Sequence, residues 1–164
     1  MHTTDAGSPD AGAGPVCSFQ ATGAALAHGT CNLRVQSKAH TDGAPSGEAF
    51  ALTGSSEIVR FSAWLRFLGA PLSGVATRGS YSSGAQPFVG EGVVVDQRGI
   101  EWFGKAGIQG TFRLTLTSVR RLPVEGGASL ELHGTLELEL PPANLIPKHP
   151  NSRPHPLLTL RVTF

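Results

Sequence analysis

Residues 129–140 read SLELHGTLELEL, and aliphatic and polar residues alternate along them almost without exception. Leucine occupies positions 130, 132, 136, 138 and 140, and Gly134 fills the gap in this series. Glutamate, histidine and threonine occupy the positions between them. A two-residue period places alternate side chains on opposite faces of a β-strand. The stretch therefore predicts a long strand with one face on a core and the other face in water.

The same period recurs upstream in GTFRLTLTSV and downstream in the terminal LLTLRVTF. The Gly-containing VEGGAS, residues 124–129, predicts a hairpin between strands at 108–120 and 128–140. DQRG, residues 96–99, predicts a turn with Gly99 in the left-handed conformation. Strands are expected at 15–22, 30–37, 48–53, 57–68, 75–82, 87–96, 99–104, 108–120, 128–140 and 156–164.

Short strands separated by Gly- and Pro-rich turns predict an all-β fold. We expect an antiparallel β-sandwich, in which two packed sheets contain roughly 8–10 strands in total. The outward parity carries glutamates at 131, 137 and 139 on one strand and arginines at 34, 113 and 161 on its expected neighbours. Opposite charges on adjacent antiparallel strands contribute about 0.2–1 kcal/mol each. These residues are interpreted as register-setting pairs and not as an active site.

The segment EIVRFSAWLRFL, residues 57–68, fits two structures. In a short helix, Ser56 would cap the N-terminus and Gly69 would end the helix. In a strand, one parity would face the core and the other the solvent; the outward set would be Arg60, Ser62, Trp64 and Arg66. The β-branched and aromatic content and the all-β surroundings favour the strand.

Composition indicates a single folded domain with a leader. The chain has 164 residues, 40% hydrophobic and 15% charged, with a net charge of +1. This charge gives no overall field that would recruit nucleic acid or anionic lipid. The start is small, polar and rich in Gly and Pro, which predicts a flexible leader over 1–14 and a single β-sandwich domain over 15–164. No apolar run is long enough to cross a membrane as a helix, and we expect a targeting segment to precede the leader in the natural protein.

The two cysteines, Cys17 and Cys31, lie on the apolar parity of successive predicted strands. A disulfide between them would stabilise the fold by roughly 3 kcal/mol in the chain-entropy description. Two buried reduced thiols are the alternative. The disulfide is favoured, and it predicts an oxidising compartment.

The sequence contains no motif of a catalytic or metal centre. A nucleophile elbow, a zinc-protease motif, a phosphate-binding loop and a dinucleotide fingerprint are all missing. No His and Cys residues have the spacing of a zinc site. The sequence therefore predicts a protein that is not an enzyme, with no catalytic residue, metal or cofactor.

One group of residues is a candidate ligand-binding patch. On a strand at 57–68, Trp64 would lie between the outward Arg60 and Arg66, and Trp102 and Tyr81 are candidate neighbours. A flat aromatic ring beside planar guanidinium donors suits a sugar or the anionic side chains of a protein partner. The alternative is that a loop or second layer covers Trp64, with the arginines extending around it.

Three stretches, GTFRLTLTSVRR, GGASLELHGTLELELPP and LTLRVTF, follow one another over residues 107–164. This series resembles the C-terminal half of uncharacterised bacterial secreted or lipoprotein β-sandwich domains. TTDAGSPDAGAG near the start is similar to the tether that follows the lipidated cysteine of such lipoproteins. The resemblance implies an exported protein that is periplasmic, anchored to the outer membrane or extracellular, with any lipid anchor outside this sequence. It implies no catalytic residues.

The leading hypothesis is a non-enzymatic protein of the bacterial envelope with a binding or structural role. A carbohydrate- or ligand-binding module that uses the Trp/Arg patch is the first alternative. A small outer-membrane β-barrel is the second, because LTLRVTF resembles a barrel insertion signal, although aromatic residues are few for two girdles. A self-assembling surface protein that pairs through an edge strand is the third. The expected partner is a glycan or another envelope protein.

Overall fold

The computed structural model describes residues 17–36, 48–67, 78–82, 88–125, 127–143 and 156–164. These residues form antiparallel β-strands and contain no helix. The predicted leader, residues 1–14, lies outside them. The strands are β1 (Ser18–Gly23), β2 (Ala27–Gln36), β3 (Ala49–Ser55), β4 (Val59–Phe67), β5 (Gly79–Ser82), β6 (Phe88–Asp96), β7 (Glu101–Lys105), β8 (Thr111–Val124), β9 (Gly127–Leu140) and β10 (Leu158–Thr163). Each predicted segment overlaps one of them, so the all-β fold class is confirmed.

One continuous hydrogen-bonded sheet contains these strands in the order β5–β8–β9–β10–β1–β2–β3–β4–β6–β7. The expected sandwich of two separate sheets is not confirmed, because β2 pairs with both β1 and β3 and so connects the two halves. The sheet instead curls into a half-barrel. A side chain added at Gly92 on β6 would meet Leu138 on β9, which shows that the two halves face each other. They enclose one apolar core.

The inward face of the sheet forms this core. The alternating leucines from 132 to 140 on β9 are almost completely buried, as their period predicts. They belong to one cluster with inward side chains of the other strands, which include Phe19, Phe50, Phe61, Leu65, Trp102, Phe112, Leu114, Leu160 and Val162. Gly134 interrupts the leucine series because a Cβ there would collide with the carbonyl of Thr115. Its backbone exchanges hydrogen bonds of 2.7 and 3.0 Å with Phe164.

Residues 59–67 form a strand, so the helix alternative for this segment is wrong. Burial alternates along all of β4, from the buried Val59 to the buried Phe67. Ser56 does not cap a helix. Its Oγ accepts hydrogen bonds from the N–H groups of Ile58 and Val59 at 3.2 and 3.1 Å, and its own N–H donates to the Val59 carbonyl at 2.8 Å. These bonds build a tight turn that leads directly into β4.

The turn between β6 and β7 is organised by Asp96. One carboxylate oxygen accepts the N–H groups of Arg98 and Ile100 at 2.9 Å each, and the other accepts the Arg98 guanidinium at 2.8 and 3.0 Å. Burial alone raises the pKa of Asp96, but the hydrogen bonds from Arg98 and Ile100 outweigh it and hold the pKa below 3.8. Gly99 has a φ of 81°, so the predicted left-handed position is confirmed.

The outer edge of β7 is also hydrogen-bonded. The N–H of Phe103 donates to the carbonyl of Pro141 at 3.0 Å, and the N–H of Ala143 donates to the carbonyl of Glu101 at 2.8 Å. Residues 141–143 directly follow β9. At this end of the molecule the chain after β9 therefore closes the curled sheet against β7.

Candidate functional site

The outer face of β8, β9 and β10 is a polar surface on which two arginines pair with glutamates of β9. Arg161 on β10 lies directly opposite Glu137 on β9, and its Nε is 3.7 Å from the carboxylate. Arg120 on β8 is likewise 3.7 Å from Glu131 on β9. We call the outward residues of these three strands the Glu137 face. These cross-strand ion pairs confirm the register-setting role predicted for Arg161, Glu137 and Glu131, whereas Arg113 and Glu139 form no ion pair within the described residues.

The outer face of β2, β3, β4 and β6 has a different composition. Trp64 lies near its centre with 40% of its surface exposed, and its cross-strand neighbours are Ala51 on β3 and Glu91 on β6. We call the outward residues of these four strands the Trp64 face. They include Arg34, Ala49, Ala51, Thr53, Arg60, Ser62, Trp64, Arg66, Val89 and Glu91. Arg60, Trp64 and Arg66 thus share one exposed face, as the sequence predicts for a strand.

The arginines of the Trp64 face lack carboxylate partners. Among the residues that the structure describes, no Asp or Glu lies within ion-pair distance of Arg34, Arg60 or Arg66, and no side-chain hydrogen bond engages them. All three are exposed. Their charge is therefore available to a ligand.

The sequence missed Arg34 as a member of this face. It placed Arg34 beside the glutamates of β9, which is wrong, because β2 pairs with β1 and β3 and has no place next to β9. The register instead aligns Arg34, Ala51 and Trp64 in one row across the sheet, about 10 Å from Arg34 to Trp64 between backbones. No sequence signal could show this, since the alternation of β2 is the same whichever strand it pairs with.

Trp102 does not join the Trp64 face. It points inward from β7, is 1% exposed, and its indole N–H donates to the carbonyl of Pro156 at 3.2 Å. The expected neighbour relation with Trp64 is therefore wrong. Trp102 is buried because the alternation of β7 directs its side chain to the core and that of Phe103 outward.

Tyr81 also lies apart from the Trp64 face. Its half-buried ring packs edge-on against Phe67, with the ring centroids 5.5 Å apart. Phe67 is on the inward parity of β4, opposite to that of Trp64. Tyr81 therefore faces the core, and the expectation that it would extend the patch is wrong.

A concavity of about 340 Å³ adjoins the Arg60 end of the Trp64 face. Arg60 forms part of its wall, and the turns at 56–59 and 95–99 supply the rest. A hydrogen bond of 2.9 Å from the Gln97 N–H to the Ile58 carbonyl holds these two turns together. The shape of the concavity is therefore set by backbone contacts.

Cys17 and Cys31 form a disulfide, as predicted. Cys17 directly precedes β1 and Cys31 lies on β2, and the N–H of Cys31 donates to the Cys17 carbonyl at 2.9 Å. Both residues are buried in the core. The bond indicates that the protein folds in an oxidising environment.

The described residues hold neither a metal-binding cluster nor a membrane-spanning helix. In the ranges that the structure describes, no group of three or more His, Cys, Asp or Glu side chains could hold a metal ion. The imidazole Nε2 of His133 lies 3.1 Å from the carboxylate of Glu131, while its buried Nδ1 has no hydrogen-bond partner in the same ranges. Over the same ranges, no helix is long and apolar enough to span a membrane.

Comparison of the chain with protein-family models, with curated proteins and with solved structures finds no match. Function is therefore inferred from the geometry of the Trp64 face. That face combines an exposed aromatic ring, cations without partners in the described residues and an adjoining concavity.

Proposed function

We propose that this chain is a non-enzymatic, exported protein of a bacterial cell envelope that binds a ligand through its Trp64 face. The observation that carries the proposal is the exposed Trp64 between Arg60 and Arg66, neither of which has a carboxylate partner in the described structure. Tryptophan and arginine are the residues that most often dominate binding energy at protein surfaces. A carbohydrate or another envelope protein is the ligand that this composition suits.

Two further observations support export. The Cys17–Cys31 disulfide requires an oxidising compartment to form and persist. The C-terminal series over 107–164 and the leader resemble bacterial secreted or lipoprotein domains. We propose a periplasmic, outer-membrane-anchored or extracellular location on these grounds.

Glycan-array binding tests the proposal. The oxidised protein is applied to an array that carries neutral and acidic glycans, together with Trp64→Ala. A matched control is Ile108→Ala, which also removes an exposed apolar side chain but in the turn after β7. We expect the wild type and Ile108→Ala to bind the same glycans, and Trp64→Ala to lose the signal. Absence of wild-type binding to every glycan, or equal binding by Trp64→Ala, would contradict a glycan-binding role for this face.

A further inference from the structure

Strand β4 carries an aromatic ring between two cations along one line of the Trp64 face. Arg60, Trp64 and Arg66 share the exposed parity of this strand. Along the backbone, Arg66 lies about 7 Å from Trp64 on one side and Arg60 about 13 Å from it on the other. A ligand that contacts all three must therefore be extended over about 20 Å.

On the β3 side the neighbours of this line are small or carry hydroxyl groups, whereas on the β6 side they are Val95, Val93, Glu91 and Val89. Ala51 and Ala49 on β3 lie opposite Trp64 and Arg66, so the surface beside the indole is low. Ser62 lies between Arg60 and Trp64 with its hydroxyl on the exposed face. A sugar ring offers an apolar C–H face to an aromatic ring and hydroxyl groups around its rim. The low, hydroxyl-bearing surface matches both features.

Charge complementarity selects an acidic ligand. Arg60 and Arg66 are exposed cations without carboxylate partners in the part of the chain that is described. Glu91, the acid opposite Trp64, lies 3.6 Å from the Lys105 ammonium, which offsets its charge. The planar guanidinium group binds a carboxylate through two parallel hydrogen bonds. An anionic group on the ligand can therefore form the ion pairs with Arg60 and Arg66 that no carboxylate of the described residues forms.

The line ends in the concavity beside Arg60. Its volume of about 340 Å³ is at the lower end of the range for pockets that hold small-molecule ligands, about 300–1,000 Å³. Ser56 and Gln97 add neutral polar groups to its lining, and Ile58 adds an apolar one. The carboxylates of Glu57 and of Asp96, which is paired with Arg98, also line it, so a sugar unit bound there would meet them through its hydroxyl groups. The concavity is suited to one terminal unit of an extended ligand.

We infer that the Trp64 face binds a linear acidic polysaccharide, one whose sugar units carry carboxylates, laid along β4 with one end in the concavity. This inference rests on the proposed function, because it names the ligand class of the same face. Trp64 stacks on the C–H face of one sugar unit, and Arg60 and Arg66 bind carboxylates of units on either side.

An acidic protein segment fits the face less well. An extended peptide is commonly recognised by addition to a free sheet edge, but β3 and β6 occupy both edges of β4. A polyanionic peptide would meet the arginines through charge alone and would gain little from Trp64. The peptide therefore serves as a comparison ligand in the test.

Calorimetric titration of the oxidised protein with oligogalacturonate tests the inference. Comparison ligands are the same oligosaccharide as its methyl ester, which keeps the rings and removes the charge, and polyglutamate. Variants are Arg60→Ala, Arg66→Ala and Trp64→Ala, with Arg161→Ala on the Glu137 face as the matched arginine control. Circular dichroism and thermal unfolding confirm that each variant is folded.

We expect oligogalacturonate to bind more tightly than the other two ligands, each of the three variants to weaken it about tenfold or more, and Arg161→Ala to leave it unchanged. Added salt is expected to weaken the binding. Equal affinity for the methyl ester, or binding only of neutral glycans on the array, would refute the acidic class and leave the proposed function intact. Equal affinity for polyglutamate would make the partner an acidic protein. No binding in the titration and none on the array would overturn both.

Discussion

The Glu137 face and the Trp64 face belong to one sheet and follow one alternation, but they arrange charge in opposite ways. On the Glu137 face, Arg120 and Arg161 each lie 3.7 Å from a glutamate on β9. On the Trp64 face, Arg60 and Arg66 have no carboxylate partner in the described structure and flank an exposed indole. One surface balances its own charge and the other leaves positive charge for another molecule.

The difference shows which outward residues the fold requires. Most inward residues are apolar, whereas outward positions accept many side chains. Opposite charges at outward positions add about 0.2–1 kcal/mol per cross-strand pair. The Glu137 face gains this stabilisation. On the Trp64 face only Glu91 forms such a pair in the described residues, with Lys105, while Arg34, Arg60 and Arg66 form none, so these arginines are not explained by folding stability.

The two tryptophans should differ most in how much they contribute to the free energy of unfolding. Trp102→Ala should lower the free energy of unfolding by about 3–5 kcal/mol, because it empties a core site between β7 and the start of β10. Trp64→Ala should cost about 1 kcal/mol or less. Urea unfolding of the oxidised variants measures both. Similar losses would show that the Trp64 side chain is a structural element and not a ligand contact.

The disulfide joins β2, of the Trp64 face, to the segment that enters β1, in the other half of the sheet. Replacing both residues, Cys17→Ala with Cys31→Ala, should lower the free energy of unfolding by roughly 3 kcal/mol in the chain-entropy description. Reductant should destabilise the wild type by a similar amount and leave the double variant unaffected. Equal stability of the wild type with and without reductant would show that the bond does not hold the halves together.

Asp96 supplies a charge pair to the half of the sheet that carries the Trp64 face. Its folded pKa is lowered, so its stabilising effect is complete above the ordinary value of 3.8 and is lost as the pH falls through the folded value. Asp96→Asn should cost about 1 kcal/mol or more at neutral pH, since Arg98 loses its carboxylate. Unfolding measured between neutral pH and pH values below 3.8 should show the two curves converging in acid. Parallel curves would contradict a lowered pKa for Asp96 in the folded state.

The smallest effect concerns single arginines of the two faces. Arg161→Ala should cost up to about 1 kcal/mol, because it breaks the pair with Glu137. Arg60→Ala should stay within about 0.5 kcal/mol of the wild type. A double-mutant cycle with Glu137→Ala isolates the interaction energy between Arg161 and Glu137, which should be about 0.2–1 kcal/mol. If Arg60→Ala lost more free energy of unfolding than Arg161→Ala, the Trp64 face and not the Glu137 face would be the one whose arginine stabilises the fold.

Much of the fold was predictable because its signals are local. The two-residue period of SLELHGTLELEL and of the segments around it located the strands and the buried parity of each long one. The parity of β4 placed Arg60, Trp64 and Arg66 together on an exposed face. Cys17 and Cys31 lie on the apolar parity of successive predicted strands, and this indicated their disulfide. Each of these inferences needs only residues close together in the chain.

The rest of the site depends on contacts between residues distant in sequence. Trp102 and Phe103 are adjacent aromatics in a short strand, so the period alone could not tell which one is buried; the hydrogen bond to Pro156 and the space inside the curled sheet decide it. Arg34 reaches the Trp64 face only because β3 separates β2 from β4.

The sequence was enough to predict that the chain forms strands and which side chains of the long strands face inward, and it favoured a disulfide over two reduced cysteines. Only the tertiary structure decided that the strands share one curled sheet, in which order they lie and which charges become neighbours. The same alternation occurs in every strand, so it does not indicate which strands pair with each other. Strand order is set by how the inward side chains fill one common core.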